Sequence, residues 1–259
     1  MIKRKYGWRR DTAAAKLKLG RLYRPTFKAV QPFPSVFHLG AGSAAFGSLD
    51  QGQLGSCTGF GCKRVSWYGL LAAGQAVEPS ALFQYYNERV LDGDPSDDSG
   101  STITEGINAL KQFGICPESD WPYNPAQFAV QPPVSAYTDA IRFKALQAEN
   151  IPNDGNLTQN LQDALFNQKL PVVFGADLFA QFESEQCAAN GVVQMPAAGE
   201  QPIGGHCQVI RGWKTNPDGS LWFQVQNSWG QWGDNGCDWM IADYLMAHAS
   251  DFWAVVTME

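Results

Sequence analysis

The chain has 259 residues, 44% of them hydrophobic, with 9 Trp, 8 Tyr and 15 Phe. That suffices to bury a substantial core, as one large domain or as two half-sized lobes around a shared cleft. No apolar run approaches the roughly 20 residues of a membrane helix, and the basic start Met1–Arg10 leads into no apolar segment, so neither a membrane partner nor a secretory signal is expected. Charge is unevenly placed: residues 1–32 hold ten Lys or Arg and one acid, Asp11, a net of +9. The whole chain carries −6, which leaves −15 on residues 33–259. Such a basic arm either docks on the acidic body, as long-range attraction favours, or stays a solvated tail. No aromatic and basic module follows the arm, so no nucleic-acid partner is expected.

The arm is expected to end near Pro32 and Pro34. A small-residue stretch from Gly40 to Gly47 then leads to Gln51-Gly52-Gln53-Leu54-Gly55-Ser56-Cys57. Cys57, Phe60, Gly61, Tyr68 and Leu71 recur near the helical period and predict a helix over 57–73, with Gly74 as its stop. Ser80 caps a second helix reaching about Leu91. Thr102-Ile103-Thr104-Glu105 has capping-box spacing and opens a third, ended by Gly114. A further helix is expected over about 158–168. Short β-type runs follow at Val172–Phe174, Cys207–Ile210 and Trp222–Val225, and the turn signal Asn216-Pro217-Asp218-Gly219 joins the last two as a hairpin. Helices followed by strands indicate an α+β chain with segregated lobes.

The six cysteines are Cys57, Cys62, Cys116, Cys187, Cys207 and Cys237. They form no Cys-x-x-Cys pair and no zinc-like spacing, so neither a metal nor a cofactor is expected. A chain of this size needs no disulfide framework, and most of these thiols read as buried and reduced. Cys57 differs, because it stands where a loop enters a helix, and the helix dipole and free N–H groups there favour a thiolate. Of the three histidines, His38 lies in the lead-in and His248 in a Met-Ala-His-Ala stretch near the C-terminus. His206 follows Gly204-Gly205, opens a β-run and comes 149 residues after Cys57, within the roughly 130–150 typical of a Cys/His nucleophile pair of the papain type. Asn227, in Asn227-Ser228-Trp229-Gly230, can accept a hydrogen bond from one ring nitrogen of His206 and leave the other for the thiol. Trp229 would shield that bond from water.

These motifs resemble the papain-like cysteine peptidases: Gln51 to Cys57 the nucleophile motif, Gly204-Gly205-His206 the histidine motif, Asn227-Ser228-Trp229-Gly230 the asparagine motif. The stretches Pro79–Arg89, Asp98-Ser99-Gly100, Gly114–Glu118 and Trp121-Pro122-Tyr123 look like the bacterial, archaeal or phage branch. The resemblance covers about residues 33–259. It implies a two-lobed fold, with a helical left lobe (about 50–150), a β-barrel-like right lobe (about 151–259) and the active-site cleft between them. It also implies a cysteine endopeptidase acting on peptide or protein substrates, with Cys57, His206 and Asn227 catalytic, Gln51 completing the oxyanion hole, and Cys207, Gly205 and Trp229 at the substrate. The arm would be a short pro-like segment. A catalytically idle relative used for binding, or an acyl transferase such as a transpeptidase, remains open at this point.

The chain departs from the family's secreted members at Leu54, where they carry a disulfide cysteine. This points to a cytoplasmic or otherwise reducing compartment. Thr58 replaces the usual Trp after the nucleophile, and Cys207 the usual Ala after the histidine. By analogy Cys207 would approach the second substrate subsite. The asparagine motif is also one residue shorter before its second Trp.

Overall fold

A computed structural model describes residues 4–19, 21–25, 32–40 and 43–258. Residues 26–31, just before the expected end of the arm near Pro32 and Pro34, and residues 41–42 of the Gly40–Gly47 stretch lie outside the described residues. In chain order the elements are α1 (Ala13–Leu19), β1 (Arg21–Leu22), β2 (Val36–His38), α2 (Cys57–Ala72), α3 (Ala81–Asp92), α4 (Ile103–Gln112), α5 (Val134–Ala140), β3 (Ala145–Ile151), α6 (Leu157–Phe166), β4 (Val172–Leu178), α7 (Glu185–Asn190), β5 (Val192–Val193), β6 (Gly204–Thr215), β7 (Leu221–Gln226), β8 (Cys237–Ile241), α8 (Ala242–His248) and β9 (Ala249–Met258).

The helix boundaries follow their capping residues. Ser80 Oγ accepts the Phe83 N–H at 3.1 Å and opens α3. Thr102 Oγ1 accepts the Glu105 N–H at 3.1 Å and opens α4, whose Ile103, Ile107 and Leu110 are fully buried. Each Oγ satisfies one of the N–H groups that a helix start leaves free. Gly114 follows α4 at φ +76, beyond easy reach of a side-chain-bearing residue.

Helix α2 differs from the expected amphipathic helix. Every residue from Cys57 to Trp67 is buried, while Tyr68 and Leu71, expected on the buried face, are only half-buried. The reason is its place: α2 packs on α3 and α4 on one side and on β4, β6 and β9 on the other. A helix between two lobes has no solvent face along that stretch. Its two internal charges are therefore paired or bonded. Lys63 Nζ meets Glu78 at 2.8 Å and Glu118 at 3.1 Å. The Arg64 guanidinium donates to the carbonyls of Ala45 (2.7 Å), Gly47 (3.0 Å) and Asn227 (3.0 Å).

The two-lobed α+β architecture is as expected, with one correction to the strand lobe. The described strands form one nine-stranded sheet in the order β1-β3-β9-β4-β6-β7-β8-β5, with β2 added on β6. Its ends, β1 and β5, do not meet, so it is not a closed barrel. The pairs β1–β3 and β5–β8 are parallel and the others antiparallel. The β6–β7 hairpin forms where the turn signal lies: the Gly219 N–H donates to Asn216 O at 2.9 Å, with Gly219 at φ +84. Both this hairpin and the β4–β6 pair end at the cleft, and α2 begins there.

Candidate active site

Three elements converge at the cleft: the first residue of α2, the start of β6 and the end of β7. The Cys57 thiol accepts hydrogen bonds from the backbone N–H groups of Cys207, Gly7 and Thr58. The first of these places the sulfur beside His206, which Cys207 follows. His206 Nε2 and Asn227 Oδ1 are 2.9 Å apart. Asn227 Oδ1 also accepts from the Ser228 N–H at 2.7 Å, so Nε2 carries the ring hydrogen and Nδ1 is left as the acceptor. Nδ1 is buried without a partner. The Trp229 ring covers this bond, 5.1 Å from the imidazole between centroids, and is itself covered by Phe182 and Trp232.

Gln51 is fully buried and fixed at both ends of its amide. Its Oε1 accepts from Ser228 Oγ at 2.6 Å, and its Nε2 donates to Leu54 O at 2.9 Å. The other histidines lie elsewhere: His38 bonds Gln224 at 2.7 Å, and His248 packs on Phe179 and Tyr244. Cys207 is placed differently from its expected role. A Cβ at Gly61 of α2 would lie 2.7 Å from its sulfur, so the thiol points at that helix and Cys207 meets the site through its N–H.

Residues 4–11 of the arm run through this cleft. The Lys5 carbonyl is 3.4 Å from Gln51 Nε2, the Gly7 N–H bonds Cys57 Sγ, and the Trp8 N–H donates to Gly205 O at 3.1 Å. On the opposite wall Ser101 N–H donates to Gly7 O at 2.8 Å and Arg9 N–H to Ser101 O at 2.9 Å, a parallel bridge. Tyr6 packs on the His206 and Trp229 rings, and the Arg4 guanidinium stands over Trp229 at 5.7 Å. Ion pairs fix the edges: Arg4 with Asp50, Lys5 with Asp98 (2.7 Å), Arg9 with Asp92 (2.5 Å) and Arg10 with Asp177 (2.8 Å). The fit is close at Gly7, where a Cβ would lie 1.8 Å from Gly55 O.

With the arm in place, burial sets the protonation of the pair. It pushes the Cys57 thiol up to about 11 against the three N–H groups that favour the thiolate. It pushes His206 down to about 4, against the Asn227 bond, with the Arg4 charge adding to the depression. Both groups are neutral at pH 7 in this state. Among the described residues no group of His, Cys, Asp or Glu is arranged to hold a metal ion, and no helix is long and apolar enough to cross a membrane.

Four contributors to the site went unread in the sequence. Ser228 orients Gln51, Arg64 ties α2 to the carbonyl of Asn227, and Tyr6 and Trp8 fill the cleft. Ser228 sits inside a motif already singled out, and that was its only signal.

Comparison with known proteins gives a consistent assignment. The family described as papain family cysteine protease matches residues 43–250. An uncharacterized peptidase C1-like protein of Acanthamoeba polyphaga mimivirus is 36% identical over 221 residues, covering 82% of this chain and 70% of its own length. The cysteine endopeptidase Rep1 of Oryza sativa subsp. japonica is 27% identical over 233 residues, covering 88% of this chain and 57% of its own length. The crystal structure of xylellain, a cysteine protease from Xylella fastidiosa, superposes with a TM-score of 0.85 at 27% identity, covering 100% of this chain and 99% of that one. The chain belongs to the papain family of cysteine proteases.

Proposed function

We infer that the chain is a cysteine-type endopeptidase with Cys57 as nucleophile, His206 as acid and base, Asn227 orienting His206 and Gln51 as an oxyanion donor. Residues 4–11 act in it as a built-in inhibitory segment. The observation that carries the catalytic reading is the His206 Nε2 to Asn227 Oδ1 bond, which leaves Nδ1 as a free acceptor, while the Cys57 thiol at the helix start bonds the N–H of Cys207, the residue after His206. Once the arm leaves, water and substrate reach the pair, and the thiol proton passes to Nδ1. The thiolate attacks the substrate carbonyl carbon, and the displaced electron pair goes to the carbonyl oxygen, held by Gln51 Nε2 and the Cys57 N–H. One such donor is worth roughly 10²–10³ in rate. Collapse breaks the C–N bond, and Nδ1–H protonates the departing amine. Water then gives a proton to Nδ1 and its oxygen attacks the thioester, releasing the acid and the Cys57 thiolate.

The inhibitory reading rests on what the arm occupies. Its Lys5 carbonyl faces the Gln51 donor that a substrate oxygen needs, and its Gly7 N–H takes the Cys57 sulfur. The working compartment on this reading is a reducing one, supported by Leu54 at the position of the secreted enzymes' disulfide cysteine.

Alkylation with iodoacetamide and peptide mass mapping of the full chain tests both halves. We expect Cys57 to react ahead of the other five thiols, His206→Ala to abolish that selectivity, and Gly7→Ala to speed it. Uniform slow labelling of all six thiols that persists in Gly7→Ala sinks the catalytic reading. An unchanged Cys57 rate in Gly7→Ala sinks the inhibitory one.

A further inference from the structure

Thr58 follows the nucleophile at a position where Trp is usual in the family, and its side chain takes no part in the attack. Its N–H bonds the Cys57 sulfur. Its hydroxyl points into the helical lobe and donates to Glu88 Oε2 on α3 at 2.5 Å. The start of α2 needs such a hold. Ser56 stands in the capping position but makes no cap bond, and its hydroxyl meets that of Tyr123 at 2.7 Å instead. A first turn without a cap leaves its free N–H groups loosely placed. Thr58 thus joins the sulfur on one side to a buried carboxyl on the other.

Glu88 is itself enclosed. It is fully buried, and besides Thr58 it accepts from Gln84 Nε2 at 3.0 Å and from the Cys62 thiol. Gln84 Nε2 also donates to Gly106 O at 2.8 Å. α4 closes the space with Gly106, where a Cβ would lie 3.1 Å from Glu88 Oε1 and 2.5 Å from Cys62 Sγ. No ion pair neutralises the carboxyl among the described residues: the adjacent Arg89 donates to the carbonyls of Pro95, Asp97 and Phe128. On the same helix Asp92 adds a like charge, and from other elements Cys57 and Cys62 of α2 and Cys207 of β6 interact with Glu88. Burial raises the carboxyl to about 8, against the Thr58 and Gln84 bonds and the Arg89 charge. An uncharged Glu88 suits the site, because its negative charge would push the Cys57 thiol up and oppose the thiolate. An apolar residue would fill the space but leave the buried Thr58 hydroxyl without this partner.

We propose that Glu88 is a positioning residue for the nucleophile: through the Thr58 hydroxyl it fixes the first turn of α2 and holds the Thr58 N–H on the Cys57 sulfur. The inference rests on the proposed peptidase reading and adds a residue to that same site. The hold serves the chemistry best while the carboxyl is uncharged. As pH rises through about 8, Glu88 loses its proton, and its charge then stands beneath the end of α2 where the thiolate must form. Glu88→Gln keeps a hydrogen-bond partner for Thr58 and removes that charge at every pH.

Cys57 alkylation by iodoacetamide, mapped by mass in the full chain, provides the test, with Gly7→Ala as the parent so that the arm contributes equally to every variant. At pH 7 Glu88→Ala and Thr58→Val should each slow Cys57 by roughly tenfold or more, the worth of one hydrogen bond to a charged group. Glu88→Gln should recover the parent rate to within a few-fold at pH 7. At about pH 9 it should exceed the parent several-fold, because the parent's carboxyl is then charged. A merely structural Glu88 would leave the pH profiles of Glu88→Gln and the parent parallel, and that result overturns the proposal. So does an unchanged rate in Thr58→Val, or a Glu88→Gln rate as low as that of Glu88→Ala. Should Glu88→Ala fold poorly, Thr58→Val compared with Thr58→Ser gives the same reading: Thr58→Ser keeps the hydroxyl and should recover the rate that Thr58→Val loses, and equal rates overturn the proposal. If the parent itself shows no selective labelling of Cys57, the peptidase reading falls and the role of Glu88 with it. Selective labelling that Thr58→Val and Glu88→Ala leave untouched defeats the role of Glu88 alone.

Discussion

The cleft is built from two layers held by different physics. Beneath lie Gln51, His206, Asn227 and Arg64, each at most 1% exposed and bonded to the interior. Above lies the arm, joined at its edges by ion pairs whose basic partners are partly exposed, about half so for Lys5, Arg9 and Arg10. A buried bond that loses its partner costs about 1–3 kcal/mol for each orphaned group, whereas an exposed ion pair contributes about 0.2–1 kcal/mol. On the inhibitory reading the lower layer is permanent, and the upper one, held also by the buried Trp8 and three backbone bonds, is reversible. A site meant to be covered and later uncovered needs that difference.

Two arginines test the contrast most sharply. Arg64→Ala strips hydrogen bonds from three carbonyls, and chemical denaturation should show a loss on the order of 3 kcal/mol or more. Arg9→Ala, which removes a half-exposed ion pair to Asp92, should cost less than about 1 kcal/mol by the same measurement, while raising the rate of Cys57 alkylation. Equal stability losses in the two variants would erase the distinction between the layers.

Salt should act on one layer only. Raising ionic strength from about 0.05 M to 0.5 M shortens the screening length to a few ångströms, so the four ion pairs of residues 4–11 weaken together. Peptide hydrolysis by the full chain should rise several-fold, while the unfolding midpoint hardly moves. A rate that is flat in salt, or that falls, would show that the pairs do not hold the arm.

The smallest effect is in pH, because two groups oppose one another. Asp11 is held up to about 6 by burial and by Asp251. The docked arm thus binds a proton more readily than a free one, and docking gains as pH falls through 6. His206 is depressed to about 4 beneath the arm, so docking loses as pH falls from its ordinary 6.5 towards 4. The wild-type Cys57 alkylation rate, expressed relative to that of Gly7→Ala, should change little between pH 4 and 6.5. Asp11→Asn removes the first contribution, so that this ratio should rise on acidification. A ratio in Asp11→Asn that falls with acid contradicts the burial of His206 by the arm.

The lower layer was largely legible in the sequence and the upper one was not. A proposed Cys/His chemistry restricts the residue types, so Cys57, His206, Asn227 and Gln51 stand out among few alternatives, with only three histidines in the chain. The arm's excess of +9 announced attraction to an acidic body, but long-range charge carries no register. Register comes from Gly7 against Gly55 and from Trp8 over Gly175 and Gly205, contacts between positions up to 197 residues apart in the numbering, which nothing local in the sequence links. Arg64 was unreadable for a similar reason. A basic residue in a helix reads as solvated until the helix proves to be enclosed on both sides. Closure of the sheet escaped as well, because strand periodicity says which faces are buried and not whether β1 and β5 meet.

The central claim is a Cys57 peptidase gated by its own arm. Hydrolysis of a quenched peptide, compared among wild type, Gly7→Ala and the double variant Gly7→Ala with Cys57→Ala, tests it most directly. The Cβ at position 7 meets Gly55 O at 1.8 Å, and overpacking of about 1–3 kcal/mol predicts a rise of roughly 5–150-fold in Gly7→Ala. Adding Cys57→Ala should remove that activity. Equal rates in wild type and Gly7→Ala, or hydrolysis that survives Cys57→Ala, would contradict it.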